Sequence, residues 1–230
     1  MSRAVHREFK DRLYGQFARI GKALASPHRL EILELLAQAE RTVDSLATEI
    51  GLSLANTSQH LQVLRQAALV DSRKDGLFVY YRLAGAEVFD LSHVLRRVAE
   101  ARLADFERLI REHFGERDDA EAVAMAELLK RARSHQVVIL DTRPASEYVA
   151  GHITGAISVP VDELKRRLGQ LAKGQDYVAY CRGPYCVYAD RAVELLRANG
   201  RRARRMLGGF PEWRAAGLPI AGGVEPGALK

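Results

Sequence analysis

Cysteine is nearly absent from this sequence: Cys181 and Cys186 are the only two in 230 residues. Two thiols cannot build the disulfide framework of a small secreted domain. Nor do they supply the four ligands of a structural zinc site. Both lie in one short segment, which leaves catalysis, redox chemistry or chance to account for them. Long apolar runs are missing as well. None approaches the ~20 residues that span a bilayer. The stretch MSRAVHREFKDRLYGQF lacks the apolar core of a signal peptide. The expectation is a cytoplasmic protein with no membrane partner. Internal repeats and low-complexity segments are also lacking.

What is present fits a folded chain. Hydrophobic residues make up 47% and charged residues 28%, which excludes a disordered tail, a collagen-like fibre and a simple coiled coil. The length suits one large domain or two small ones. The formal net charge is +6, which permits nucleic-acid binding without requiring it. Residues 1–115 carry 17 Lys/Arg against 15 Asp/Glu, and residues 116–230 carry 18 against 14. Neither half is strongly basic, so any DNA contact must come from a local, shaped patch.

The first half reads as helices around one hairpin. Phe9, Leu13, Phe17, Ile20 and Leu24 have helical spacing over residues 7–25. Ser26-Pro27 ends that helix and opens the next, over 29–39. Two further helices, 42–50 and 54–66, are joined by Gly51-Leu52-Ser53, with Thr42 or Asp44 as a cap. Residues 69–83 alternate apolar and polar about Lys74-Asp75-Gly76, a hairpin signal. One long helix is expected over 87–113, then a polar break at 115–119.

Two helices joined by a short turn, followed at once by a hairpin with a basic tip, form a winged helix-turn-helix. The second helix, LANTSQHLQVLRQ, would enter the major groove. Leu54, Leu61 and Leu64 are expected to pack inward. Asn56, Ser58, Gln59 and His60 face outward, toward base edges or phosphates. Arg65 suits a phosphate, and Arg73 and Lys74 at the wing tip suit the DNA backbone.

The segments ALASPHRLEILELL and SLATEIGLSLANTSQHLQVLRQAALVDSRKDGLFVYYRL resemble the ArsR family of winged-helix repressors, over roughly residues 10–113. That resemblance implies a homodimer, formed through the first and last helices, on a palindromic operator of double-stranded DNA. Many members bind metal through a cysteine pair on the helix before the reading helix. Here that helix is TVDSLATEI, without cysteine, so that site is absent. A second family site uses His and carboxylates on the last helix. Asp90, His93, Glu107 and His113 lie there but do not match its spacing and read as solvated surface. No metal and no cofactor is expected.

The second half alternates strands with helices. Helix is expected at 121–134, 161–171, 187–199 and 211–216, and strand at 136–141, 156–159, 175–181 and 203–207. This pattern predicts a parallel sheet covered on both faces. Cys181 ends the apolar strand YVAY and precedes a helix, where α/β sheets place their ligands. The loop Cys181-Arg182-Gly183-Pro184-Tyr185-Cys186 can turn backbone N–H groups onto the sulfur. Together with the helix N-terminus and the Arg182 charge, these are expected to lower the Cys181 pKa. A small core cysteine is the competing reading.

The runs ILDTRPASEYVAGHITGAISVPVDEL, YVAYCRG and LGGFPEWRAAGLPI resemble a rhodanese domain, over roughly 120–220. The resemblance implies a sulfurtransferase with Cys181 as carrier. Its thiolate would take sulfur from thiosulfate, a polysulfide or a persulfide. Asp141, Arg143, Glu147 and His152 match framework motifs and read as structural support. Three features depart from the family. Pro184 removes one N–H donor, the distance from Cys181 to Gly200 is about two residues longer, and Cys186 stands at the loop end. Turnover is therefore expected to be weak. The phosphatase and arsenate-reductase versions need Cys-x5-Arg, but Val187 occupies that arginine position, which excludes their chemistry.

The expected fold is thus a mainly α winged helix-turn-helix at residues 1–115 and an α/β rhodanese-like domain with a parallel sheet at 116–222. A flexible tail follows at 223–230. Three functions remain open: a regulator that senses or carries reactive sulfur through Cys181, an active sulfurtransferase that controls its own operon, and a repressor with an inert rhodanese fold. Cys186 is a candidate resolving thiol, able to join Cys181 through sulfur, or else a small residue tucked under the loop.

Overall fold

Ser26 is extended and Pro27 sits in the first turn of a helix, so the chain breaks between α1 (Arg3–Leu24) and α2 (Pro27–Gln38). Proline is tolerated there because the first turn has no N–H partner to lose. The computed structural model describes residues 3–115 and 121–224. The expected boundary at 116 and residues 225–230 of the expected tail lie outside the described residues. The chain divides into two units, Met1–Arg96 and Arg97–Lys230.

In the first unit Thr42 caps α3 (Val43–Ile50), its side chain accepting from the Ser45 N–H. Gly51 closes α3 at φ +68°, a left-handed position that glycine takes without strain. Ser53 then caps α4 (Leu54–Gln66) through the Asn56 N–H. The hairpin is β2 (Val70–Asp75) and β3 (Phe78–Leu83), paired from Val70↔Leu83 to Asp75↔Phe78. That register leaves Gly76-Leu77 as the turn, with Gly76 at φ +59°. A short strand not anticipated from the sequence, β1 (Arg41–Thr42), completes the order β1-β3-β2. The core gathers Ile32, Leu33, Leu36, Leu46, Leu61, Leu64 and Val70, with Val88 of the next helix. Leu54 does not join it. It is 51% exposed, and Thr57 takes the inward position instead.

The helix expected over 87–113 is broken. It forms α5 (Ala86–Arg102) and α6 (Ala104–Phe114), with Leu103 extended between them. Neither proline nor glycine marks the break.

In the second unit a parallel sheet runs β6-β4-β7-β8, from β4 (Val138–Asp141), β6 (Ile157–Ser158), β7 (Asp176–Tyr180) and β8 (Arg202–Arg205). Successive strand residues face opposite sides. Ile139, Val178 and Tyr180 therefore join Leu128, Phe210 and Trp213 in one core. Leu140, Tyr177, Ala179 and Cys181 join Leu164, Ala192 and Leu196 in the other. The first core is covered by α7 (Met125–Arg133), α8 (Ala145–Ala150) and α11 (Phe210–Ala215). The second is covered by α9 (Val161–Arg167) and α10 (Val187–Ala198).

The expected helix at 121–134 starts four residues late. Val123 instead bridges Met206, its N–H donating to the Arg205 carbonyl at 2.8 Å. A sheet-edge partner distant in sequence outweighs local helical preference there. Helix α8 and the antiparallel pair β5 (His152–Ile153) and β9 (Ile220–Ala221) had no signal in the reading of strands and helices. The first tail residues are held, since the Gly223 N–H donates to the Val149 carbonyl at 2.8 Å.

Leu61 and Leu54 separate core from surface on one helix. Leu61→Ala should cost about 2–5 kcal/mol, as expected for a buried leucine. Leu54→Ala should change stability by less than about 0.5 kcal/mol. Urea unfolding of both variants, followed by helical circular dichroism, measures the difference.

Candidate functional site

On the first unit, Asn56, Gln59, Arg65 and Lys74 are exposed. Ser58 and His60 are half-buried. The His60 ring lies 5.5 Å from that of His28. Burial, reinforced by the charges of Arg29 and His28, holds His60 below the ordinary imidazole value. This favours the neutral ring over the imidazolium. Arg73 is less available than its place near the wing tip suggests. It donates to Glu40 at 2.7 Å and Asp75 at 2.9 Å, and lies 4.8 Å from the Tyr80 ring centre. Leu77, at the turn itself, is 97% exposed.

Asp90, His93, Glu107 and His113 are not brought together. Arg96 donates to His93 Nδ1 at 2.8 Å, Arg111 pairs with Glu107, and His113 packs on Phe114. Among the described residues, no group of three or more His, Cys, Asp or Glu is placed to hold a metal ion.

On the second unit, Cys181 follows the last residue of β7, the strand flanked by β4 and β8. Its carbonyl accepts from the Phe210 N–H at 3.0 Å, and the side chain is buried. The thiol donates toward the carbonyls of Cys186 (3.4 Å) and Gly183 (3.6 Å). N–H groups of Gly183 and Ala189 also reach its sulfur. Cys186 is half-buried and is the N-cap of α10.

This placement reverses the expected acidity. Burial, and then the thiol's own hydrogen bond to Cys186, push Cys181 well up. Cys186 is lowered to about 7, first by the hydrogen bond from Cys181, then by the N–H groups of Tyr188 and Arg182 and by the Arg182 charge. The positive helix end acts at the cap, and the cap is Cys186. The two thiols are close enough to titrate as a pair, with burial working against the charge on Cys181 and the helix N-terminus favouring it on Cys186.

The framework residues hold the loop. Arg143 forks onto Asp141, with Nη2–Oδ2 at 2.6 Å, and donates to the Gly151 carbonyl at 2.7 Å. The Tyr180 hydroxyl donates to the same Asp141 carboxylate at 2.6 Å. Burial alone would lower the Arg143 pKa, but the Asp141 charge and hydrogen bonds hold it above its usual value. Removing one member would strand a buried charge, which is the expensive case. His152 stacks on Tyr148 at 3.7 Å and bonds its carbonyl. Glu147, on α8, takes Arg182 at 2.7 and 2.9 Å. The Arg182 side chain is thus committed to a carboxylate.

Gly209 is a site residue that the reading of the loop missed. A Cβ there would lie 2.4 Å from the Gly183 nitrogen and 2.5 Å from the Arg182 carbonyl carbon. Only glycine lets the 208–209 turn press on the thiol loop. The Gly-Gly pair in LGGFPEW was the available signal.

A winged helix-turn-helix and a separate rhodanese-like sheet with a thiol at a strand end define a class: transcriptional regulators that carry a rhodanese-like domain. Residues 26–72 match the bacterial regulatory protein, arsR family, and residues 124–216 match the rhodanese-like domain. The chain is 45% identical over 218 residues to the HTH-type transcriptional regulator Rv0324 of Mycobacterium tuberculosis, covering 95% of this chain and 96% of that protein. It belongs to the ArsR family of transcriptional regulators, in a form extended by a C-terminal rhodanese-like domain. A second regulator of that organism, Rv0081, is 40% identical over 94 residues, covering 40% of this chain and 82% of its own. The solved homodimeric winged helix-turn-helix domain of Mb0332 from Mycobacterium bovis is 46% identical. It covers 41% of this chain and 87% of that one, with a TM-score of 0.39. Among the described residues no helix is long and apolar enough to cross a membrane.

The acidity of the pair is directly measurable. Iodoacetamide labelling of Cys186 should rise with pH through a midpoint near 7, because the thiolate is the reactive form. Cys181→Ala removes the thiol donor and should move that midpoint upward. A midpoint that stays in place would show that Cys181 does not hold the Cys186 charge.

Proposed function

We propose that this chain is an operator-binding repressor whose rhodanese-like half takes up reactive sulfur on Cys181 and thereby controls its hold on DNA. The observation that carries this reading is the pairing of Cys181 with Cys186 around one loop, at the end of β7, on a transcriptional regulator. Residues 1–115 serve DNA binding and dimerisation, and residues 116–222 serve sulfur chemistry.

Dimerisation is supported by large apolar side chains left exposed on two helices: Phe9, Leu13 and Phe17 on α1, and Leu91, Leu95 and Val98 on α5. A second copy would cover them. A two-fold dimer places two α4 helices in successive major grooves and reads a palindrome. Asn56 and Gln59 then face base edges, while Arg65 and Lys74 face phosphates.

The sulfur step begins with a proton. The Cys186 thiolate accepts the proton of the Cys181 thiol, and the N–H groups of Gly183 and Ala189 receive the new charge. The Cys181 thiolate attacks a terminal sulfane sulfur of an inorganic polysulfide. A Cys181–sulfur bond forms, a sulfur–sulfur bond breaks, and the shortened polysulfide leaves with the electron pair. With thiosulfate the leaving group is sulfite. Cys186, deprotonated again, can attack the sulfur chain on Cys181 and expel hydrosulfide. With one sulfur loaded this closes a disulfide; where Cys181 has instead attacked an inner polysulfide sulfur and carries two or three, it closes a tri- or tetrasulfide, the outermost sulfur leaving in each case as sulfide. The burial of Cys181 favours slow uptake suited to sensing over rapid turnover.

Operator affinity measured with and without polysulfide tests this reading. The parent protein should lose at least about tenfold, equivalent to ~1.4 kcal/mol. Cys181→Ser should abolish both the loss and sulfur transfer while binding DNA as the parent does. Equal responses in parent and Cys181→Ser would overturn the reading. On the DNA side, Gln59→Ala should weaken operator binding by about 1–3 kcal/mol if Gln59 contacts a base edge. Unchanged affinity in a fluorescence anisotropy titration would remove Gln59 from the reading face.

A further inference from the structure

The residue before Cys186 does not end in the loop. The Tyr185 hydroxyl donates to Glu100 Oε1 at 2.7 Å. Its ring meets Phe106 edge to face, with centres 5.4 Å apart. Glu100 lies near the end of α5 and Phe106 near the start of α6, on either side of the break at Leu103. All three residues belong to the second unit. Helix α5 is nonetheless continuous from Ala86, and its first turns place Val88 in the core of the first unit. The break that the sequence does not announce thus falls where α5 and α6 hold the thiol loop.

We propose that Tyr185 is a positioning residue that reports the state of the thiol pair to α5, and that sulfur loading of the pair is read by the loss of its contacts with Glu100 and Phe106. This rests on the sulfur-sensing reading above and names the part that regulates.

The geometry gives the reason. In the thiol state the loop is held by the Cys186 N–H donating to the Gly183 carbonyl at 3.3 Å. Gly183 itself cannot yield, because Gly209 is pressed against it. Joining Cys181 to Cys186 through sulfur closes a ring over residues 181–186 with one side fixed. The adjustment falls on the Pro184–Cys186 side, and Tyr185 is bonded directly to Cys186. A hydrogen bond at 2.7 Å weakens steeply with a displacement of about 1 Å, and an edge-on ring contact is similarly short in range. The step itself is the balanced exchange given above, with polysulfide as oxidant and hydrosulfide as leaving group. Tyr185 takes no part in the bond changes.

The test uses the full chain, its duplex operator and inorganic polysulfide, and varies Glu100 and Phe106 rather than the loop. The parent should lose at least about tenfold in affinity on treatment. Glu100→Gln keeps an acceptor for the Tyr185 hydroxyl and should keep that loss. Glu100→Leu combined with Phe106→Ala should reduce it to less than about threefold. Intact mass should still show Cys181 and Cys186 joined through sulfur in every variant. A merely structural role would shift affinity before and after treatment alike and leave their ratio unchanged. A double variant that joins its cysteines and still loses tenfold overturns the role of Tyr185 and leaves sulfur sensing standing. A parent that joins its cysteines without losing affinity overturns both.

Discussion

Parallel pairing of β7 between β4 and β8 is the constraint on which the second half of the molecule depends. It sends Tyr180 to one face and Cys181 to the other. Tyr180 meets the Asp141 carboxylate on β4, and Asp141 in turn holds Arg143. Arg143 reaches the Gly151 carbonyl, just before β5. Glu147 on the intervening helix grips Arg182 beside the thiol. A buried charge pair is a poor source of net stability, but it penalises every arrangement that separates its members. Here it prescribes where the strand ends and therefore where the sulfur sits. The opposite side of the loop is defined by the backbone of Gly209, which leaves no room for a side chain.

Within that frame the proposed chemistry uses two thiols rather than one. Cys181 is sealed among core residues and keeps its proton. Cys186 occupies the helix cap, and its pKa is lowered to about 7. A single thiol in the Cys181 position would have to give its proton to solvent from a buried site. In the proposed sulfur step the second thiol accepts it. The same residue would then resolve the sulfur chain that Cys181 acquires, so the proposal gives one position two uses, acid–base partner and resolving thiol.

Much of this was legible from residue patterns. The helix expected over 54–66 agrees with the structure at both ends, because Ser53 caps it and Gly51 closes the helix before it. Cys181 was placed at a strand end from YVAY alone. The pattern failed at particular positions, one of them where a partner distant in sequence decides. Val123 leaves its helix to bridge Met206. Leu103 breaks a helix whose apolar stripe continues through it. Leu54 is exposed because Thr57 takes the inward position. The acidity of the thiols was assigned to the wrong partner for a related reason. Local sequence shows that a helix follows the loop but not which residue caps it. Arg73 reads as a free cation at a wing tip, yet Glu40, thirty-three positions earlier, pairs with it.

The central claim is that joining Cys181 to Cys186 through sulfur is the event that releases DNA. Time-resolved measurement of both quantities in one sample tests it most directly. Polysulfide is added to the protein–operator complex, DNA release is followed by fluorescence anisotropy, and quenched aliquots are weighed by intact mass spectrometry. The account predicts that the joined species and free operator appear with the same time course, and that Cys186→Ser, which lacks both the proton acceptor and the resolving thiol and cannot close the ring even where Cys181 slowly loads sulfur, retains its DNA. Release that precedes ring closure, or that proceeds at the parental rate in Cys186→Ser, would contradict it.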